Sequence, residues 1–439
     1  MLQPIAIKDN SQRLLSEQEM AHLNNLKMIA GRSIAKLCSD DNPNLLVFPQ
    51  SLNENGDKIG DSYILQVDES TISTGNIMGF IGFNNTKVRI MSRFAQEDSC
   101  DYFLHYMLQK VFAINLFDMK YNTDKDSVFD FLIYLFPPFL KRALRQGLYK
   151  EYQSRRYNDA NVRGRIDVSR HIRQNIPFAG SVAYSTREYV YDNHVSQLIR
   201  HTIEYVARHP YRGGVLHSDE ATKNAVTQIK EATPTYNRND LRCVISQNLR
   251  PLSHPYYSEY RNLQRICLQI LRHEELKYGR DDNEIYGILF DGAWLWEEYL
   301  NTVLAKCGFT HPQNKVFKGR INLFTDGSCP RYPDFYRNDF VLDAKYKGYG
   351  NTEIQNVSGD DLHQVIAYMY RLRVSRGGFV VPLRKDEQAE SRKELAGYGG
   401  SIGIYGLHTE HTCETFAEFV LKMREEEEIL KHHIEFDTL

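Results

Sequence analysis

The stretch Tyr332-Pro333-Asp334, continued beyond 335–342 by Asp343-Ala344-Lys345, decides how the C-terminal part of this chain reads. It has the form of two short strands joined at the polar turn Arg337-Asn338-Asp339. Side chains alternate faces along a strand, so Asp343 and Lys345 point the same way. Phe340, Leu342 and Ala344 then point to the other face, toward a core. A hairpin brings Asp334, on the partner strand, beside Asp343. Two carboxylates and one ammonium on one surface can hold a hard divalent cation and steady a phosphate oxygen, the minimum for metal-assisted phosphodiester hydrolysis. A surface hairpin with a salt-bridged Asp and Lys is the plainer alternative, because both short motifs are common.

Two neighbouring segments bear on that choice. The segment Asp360-Asp361-Leu362-His363-Gln364-Val365-Ile366-Ala367-Tyr368 has helical character, and Gln364 and Tyr368, four residues apart, share one face. Upstream, 285–304 reads as a helix, most strongly from Asp291 onward, with an apolar stripe of Trp296, Tyr299, Leu300, Val303 and Leu304. Glu297 falls on the flank of that stripe, where it can reach a metal, and Glu298 falls on the solvent side.

The pattern resembles the PD-(D/E)XK nuclease superfamily, written here as Pro333-Asp334 and Asp343-Ala344-Lys345. The helix with Gln364 and Tyr368 is similar to the Gln-x-x-x-Tyr helix of its RecB-like branch. The resemblance implies a Mg²⁺-dependent nuclease, with Mn²⁺ as a substitute. Asp334 and Asp343 would be metal ligands, Glu297 would complete the shell, and Lys345 and Gln364 would act on the scissile phosphate and its water, with Tyr368 behind. Lys347, on the same strand face, is a DNA-contact candidate.

Composition limits the rest. The 439 residues suffice for two or three domains with real cores. The balance of 42% hydrophobic and 25% charged residues is that of an ordinary globular protein, and no apolar run reaches membrane-span length. The first ten residues lack a basic segment followed by an apolar one, so no secretion signal is expected. Seven cysteines with no C-x-x-C pair point to a reducing cytoplasm and away from structural zinc. A net charge of −2 confines any nucleic-acid contact to local patches or to a partner.

Residues 1–95 are β-leaning. Leu45-Leu46-Val47-Phe48, 62–67, 79–83 and Lys87-Val88-Arg89-Ile90 are short strand-like runs, with turns at Asn53-Glu54-Asn55-Gly56 and Asn84-Asn85, after a helix over 16–36. A small barrel or curled sheet fits. Residues 96–280 read as mainly helical, with helices over 101–117, 127–147 (broken at Pro137-Pro138) and 195–207, the last capped by Asp192 or Asn193. Lys141, Arg142, Arg145, Lys150, Arg155 and Arg156, interleaved with Tyr149, Tyr152 and Tyr157, suit either phosphate contact or a solvated helix face. Arg142 and Arg145 are the DNA-binding candidates there. Residues 281–439 hold the hairpin and its helix and end in a helix over 416–432 with an acidic run.

The order of segments over roughly 140–380 resembles the McrC family, the nuclease subunits of McrBC and LlaJI-type restriction systems. Gly147-Leu148-Tyr149 with Tyr152, then Val162-Arg163-Gly164-Arg165-Ile166, carry one part of the likeness. Asp192-Asn193-His194 carries a second, although the family has Asn-Arg where this chain has Asn193-His194. Ile288-Leu289-Phe290 and Leu295-Trp296-Glu297-Glu298-Tyr299-Leu300, leading into the nuclease motifs, carry a third. The resemblance implies an α+β multidomain chain: a β-rich docking domain at 1–95, a helical middle at 96–280, and an α/β PD-(D/E)XK nuclease fold at 281–439. It implies a partner, a McrB-like AAA+ GTPase hexamer, and double-stranded DNA as substrate, in defence against foreign DNA. The chain has no G-x-x-x-x-G-K-[ST] loop of its own, as a division of labour with a GTPase requires. Lys87, Arg89 and Arg93 are candidates to reach that partner. The alternatives are an autonomous RecB-like repair or recombination nuclease, and a non-catalytic DNA-binding or assembly protein that keeps the hairpin only as structure.

Overall fold

The computed structural model describes residues 4–38, 45–49, 59–95, 101–112, 127–208, 213–277, 285–312, 319–348, 353–385, 387–388, 390–397 and 399–436. The protein is a mixed α/β multidomain chain in two compact units, 1–122 with 281–439, and 123–280. Among the described residues no helix is long and apolar enough to cross a membrane.

Among the described residues the first unit contains two five-stranded sheets, a three-stranded one and a two-stranded one. One large sheet runs Ile5–Lys8, Thr86–Met91, Ile77–Phe83, Ile285–Asp291, Leu45–Phe48. The expected strands at 45–48, 79–83 and 87–90 all lie in it, and the turn at Asn84-Asn85 joins two of them, with Asn84 at φ 52. The other expected turn, Asn53-Glu54-Asn55-Gly56, lies outside the described residues.

The strand Ile285–Asp291 corrects the expectation of one helix over 285–304. Its run of buried apolar residues pairs antiparallel with Ile77–Phe83 and parallel with Leu45–Phe48. A short, wholly apolar run fits a buried strand as well as a buried helix, and pairing decides. The helix begins at Gly292 because Asp291 caps it, its Oδ1 accepting the Trp294 N–H at 2.8 Å. The first and last stretches of the chain thereby share one sheet, across the sequence boundaries set at 95 and 280.

Two glycines make this insertion possible. Gly79 has φ +125°, and a Cβ there would lie 2.2 Å from the Ile288 carbonyl oxygen; a Cβ at Gly287 would lie 2.4 Å from that of Phe80. Neither contact can be relieved by a side-chain rotation. Gly79→Ala is expected to cost roughly 3 kcal/mol of first-unit stability, read as a lowered urea midpoint. An unchanged midpoint would show that the strands separate at this point.

The second large sheet runs Phe335–Tyr336, Phe340–Ala344, Arg376–Leu383, Ser401–His408, Glu390–Glu394. Its three central strands are parallel, and the helix Gly359–Leu372 makes the crossover between the first two. Val341, Phe379 and Val381 pack with Val365, Tyr368 and Met369 of that helix. Both faces of Phe340–Ala344 are buried, so the single core face expected from its alternation is an understatement. Parallel strands with crossovers are covered on both sides.

The expected helix over 16–36 is three short ones, Glu17–Met20, Leu23–Ile29 and Ile34–Leu37, interrupted where Gly31 takes φ +69°.

The second unit, expected to be mainly helical, is built on four longer helices: Ser127–Arg145, His194–Arg208, Glu220–Ala232 and Ser258–Lys277. Pro137 and Pro138 do not break the first of these, because Leu132 to Leu140 is almost wholly buried and holds the segment through two missing N–H bonds. Asn193 is the cap of His194–Arg208, its Oδ1 accepting the Val195 and Ser196 N–H groups while its amide donates to the Tyr149 and Val190 carbonyls. The helical expectation misses a long antiparallel pair, Glu151–Asp159 with Val182–Val190, to which Arg165–Ile166 adds a third strand.

Candidate active site

Pro333 fixes an extended entry to the hairpin, and Arg337 N–H donates to the Phe340 carbonyl to close the turn expected at 337–339. Phe335 faces Leu342 in the register, so the next pair outward is Asp334 and Asp343. Asp334 Oδ2 accepts the Ala344 N–H at 2.7 Å, tying the carboxylate to the partner strand. Burial first, and the neighbouring Asp343 second, push the Asp334 carboxyl well above the usual range, against the pull of Ala344 N–H and Lys345.

Asp343 is only 2% exposed. Its Oδ2 lies 2.7 Å from Lys345 Nζ, yet the angle is not that of a hydrogen bond and this buried oxygen accepts none. Burial raises its pKa too, opposed by Lys345. Lys345 points the same way as Asp343, as their two-residue spacing requires, and its Nζ is also 3.0 Å from Asp361 Oδ1. Burial works against the ammonium, but Asp343 and Asp361 together outweigh it and hold its pKa above the ordinary lysine value.

The crossover helix covers this face of the strand. Ser358 caps it, accepting the Asp361 N–H at 3.2 Å. Gln364 Nε2 donates to Tyr368 Oη at 2.9 Å, so the two residues four apart meet as the helical spacing predicts. Tyr368 is buried, and burial raises its pKa, with Asp343 and Asp334 adding to the rise. Lys347 Nζ, a DNA-contact candidate, is 2.7 Å from Asp361 Oδ2.

Two residues of the site were not singled out in the sequence. Asp361 bridges Lys345 and Lys347, and although burial works against its charge, Lys347, Ser358 and Lys345 together hold its carboxyl well below the usual range. Its signal was its place in the first turn of the helix, one turn before Gln364. His311 had no local signal. Its Nδ1 donates to the Asp334 carbonyl at 2.8 Å, its ring stacks on Phe335, and its Nε2 is 3.7 Å from Glu297 Oε1. Glu297, on the helix Gly292–Leu304, is thus linked to the Asp334 segment through His311.

The donor set fits Mg²⁺. Two hard carboxylates are close neighbours, Asp334 just before the strand Phe335–Tyr336 and Asp343 on its partner, one of them with a buried oxygen that accepts no hydrogen bond. Among the described residues no three His, Cys, Asp or Glu side chains form a ready-made cage. Mg²⁺ does not require one, since it binds through one or two carboxylates and keeps waters and phosphate oxygens as its other ligands.

The basic run of the second unit is not one surface. Lys141 pairs with Asp219 at 2.8 Å, Arg142 lies over the Phe139 ring, and Tyr149 is buried. Arg142 and Arg145 end the helix Ser127–Arg145, whereas Arg155 and Arg156 lie on opposite faces of a strand. Arg93, a candidate to reach a partner, is engaged inside the first unit by Asp9, Asn76 and the Tyr346 carbonyl.

The family described as McrBC 5-methylcytosine restriction system component matches residues 72–382. The chain belongs to this family. A solved chain from the refined half-complex of the tetradecameric assembly of Thermococcus gammatolerans McrB AAA+ hexamers with bound McrC is 15% identical to this McrBC family member, with a TM-score of 0.49, covering 96% of this chain and 99% of that one. A chain of the Thermococcus gammatolerans McrBC complex is also 15% identical, with a TM-score of 0.33 over 69% of this chain and 87% of that one. No curated protein sequence matches.

Proposed function

We propose that this McrBC family chain is the nuclease subunit of a restriction system, a Mg²⁺-dependent endodeoxyribonuclease with a PD-(D/E)XK-type core that acts with a McrB-like AAA+ GTPase hexamer on double-stranded, methylated DNA in the cytoplasm. The observation that carries the reading is the neighbouring carboxylates Asp334 and Asp343, the second paired with Lys345, in a family of restriction-system components. Both solved complexes of similar chains are described as McrB with McrC or as McrBC, which supports the choice of partner.

Asp334 and Asp343 would hold the metal, with Glu297 reaching the site beside His311. When bound, the metal supplies Lewis-acid charge at the scissile phosphate and lowers the pKa of its water. Lys345 places a fixed positive charge where negative charge develops, and Asp361 keeps that ammonium oriented. Gln364, fixed by Tyr368, offers its amide to water or to the DNA backbone. Lys347 offers a second ammonium along the same face.

The test is cleavage of methylated and unmethylated plasmid by the purified full chain with Mg²⁺, with and without the GTPase partner and GTP. Cutting that needs partner, GTP and methylation is the expected result. Cutting by the chain alone would support an autonomous nuclease instead.

A further inference from the structure

The Arg163-Gly164-Arg165 motif has no role in the nuclease site, and its surroundings in the second unit form a surface of unusual charge. The strands Glu151–Asp159 and Val182–Val190 pair Tyr152 with Tyr189, Ser154 with Arg187 and Arg156 with Ser185, and Arg165 joins the last row from the third strand. These residues share one face by strand alternation. The contacts agree: Tyr152 and Tyr189 lie 4.7 Å apart, Arg187 sits 4.9 Å over Tyr152, and Lys150 sits 4.4 Å over Tyr191. The opposite face carries the acids: Glu188 accepts from Tyr157 and pairs with Arg155, and Asp159 accepts from Tyr184.

Glu188 and Asp159 are thus confined to the opposite face, where Arg155 and Arg163 accompany them. On the first, Lys150 and Arg187 lie over tyrosine rings and Arg156 and Arg165 flank Ser185, with Tyr152 62% and Tyr189 47% exposed. Among the described residues none of these four cations pairs with a carboxylate. Gly164 is what lets the third strand come close, since a Cβ there would lie 2.2 Å from the Ser185 carbonyl oxygen. The motif thus delivers Arg165 into a row with Arg156.

We propose that this face is a DNA-holding surface that binds the phosphodiester backbone without regard to sequence. The proposal rests on the reading of the chain as part of a DNA-directed system. Tyrosine rings support Lys150 and Arg187 at little desolvation cost, and guanidinium forks and phenol hydroxyls are donors suited to phosphate oxygens. From Lys150 to Arg156 the strand advances about 20 Å, near the rise of six nucleotides of one B-form strand. An acidic protein is the competing partner. The cation spacing along a straight strand and the small polar residues between them, Ser154 and Ser185, favour a regular polyanion.

Arg155 and Arg156 give the test, because they are neighbours of equal charge on opposite faces. Binding of the full-length chain, in an Asp343→Asn background, to a fluorescein-labelled unmethylated duplex is measured by anisotropy across a salt series. Arg156→Ser is expected to weaken binding on the order of fivefold and to lower the slope of log affinity against log salt by about 0.9, and Arg156→Ser/Arg165→Ser/Arg187→Ser to lower it by nearly 3. Arg155→Ser should change neither. Equal loss for Arg155→Ser and Arg156→Ser, no binding by the parent, or unchanged DNA binding with lost association to the GTPase would each overturn the proposal. Residual cutting in the Asp343→Asn background would instead count against the nuclease assignment and leave the comparison of the two arginines standing.

Discussion

Asp343→Asn is expected to abolish DNA cutting while leaving the metal-free fold within about 1 kcal/mol of the parent. The carboxylate is 2% exposed, its Oδ2 accepts no hydrogen bond, and burial already disfavours its charge. Asparagine keeps the shape and removes the charge that burial opposes. Lys345 keeps a partner, because Asp361 remains 3.0 Å away on the covering helix. What is lost is one of the two neighbouring carboxylates proposed to hold a divalent cation. Lewis-acid stabilisation of the reacting phosphate amounts to several kcal/mol, and each 1.4 kcal/mol is a factor of ten, so the rate should fall on the order of a thousandfold or more. Plasmid nicking with the partner and GTP reads the rate, and thermal unfolding in EDTA reads the fold. Cutting within tenfold of the parent would place the chemistry elsewhere; loss of the folded state would make Asp343 a structural residue.

The hairpin was legible because it is local. Turn, register and the shared direction of Asp343 and Lys345 all follow from period-two alternation within fourteen residues, 332–345. The meeting of Gln364 and Tyr368 follows in the same way from helical spacing. Residues that reach the site through tertiary packing left no such trace. His311 shares no helix or strand with Glu297 or Asp334, so no period links them, and it joins them through its hydrogen bond to the Asp334 carbonyl and its stacking on Phe335. Asp361 looked like an ordinary acid in a helix's first turn, favoured there by the helix dipole, until the strand beneath brought two lysines to it. The strand Ile285–Asp291 was hidden for a related reason: its neighbours Leu45–Phe48 and Ile77–Phe83 are some two hundred residues away, and an unbroken apolar run carries no period of its own. In the second unit the basic run misled because sequence counts charges without faces. Arg155 and Arg156 are adjacent in sequence, yet strand alternation sends one to Glu188 and the other to the opposite face, in the row of Ser185.

The contribution of Asp334 and Asp343 to the stability of the metal-free protein is expected to fall as pH rises, and divalent cations are expected to restore it increasingly over the same range. Asp334 and Asp343 both have folded-state pKa values above the ordinary carboxyl value, through burial and, for Asp334, through the neighbouring Asp343. The folded chain therefore keeps protons that the unfolded chain releases. Stability falls with pH wherever the folded state binds more protons, so this contribution is complete below about pH 4 and is lost as pH climbs toward the raised folded values. Groups shifted the other way act against it in part. Burial lowers the pKa values of His105, His201 and His411, which add stability as pH rises through the ordinary histidine value, so the contribution of the carboxylate pair is read as the difference between the parent and the variant that lacks it. Asp361, and Glu19, which Arg13 holds down at about 2, lose their contributions only in acid below their ordinary values. A divalent cation needs both carboxylates ionised, so its affinity grows as protons leave. At a hundred times its dissociation constant it adds about 2.7 kcal/mol, or roughly 5 °C of thermal midpoint for a unit of this size. Thermal unfolding across a pH series, in EDTA and in Mg²⁺, reads both trends. In Asp334→Asn/Asp343→Asn protein the contribution of this pair to the pH slope and the Mg²⁺ shift should disappear together. An equal Mg²⁺ shift in that variant, or one that shrinks with rising pH in the parent, would remove the carboxylate pair from the metal site.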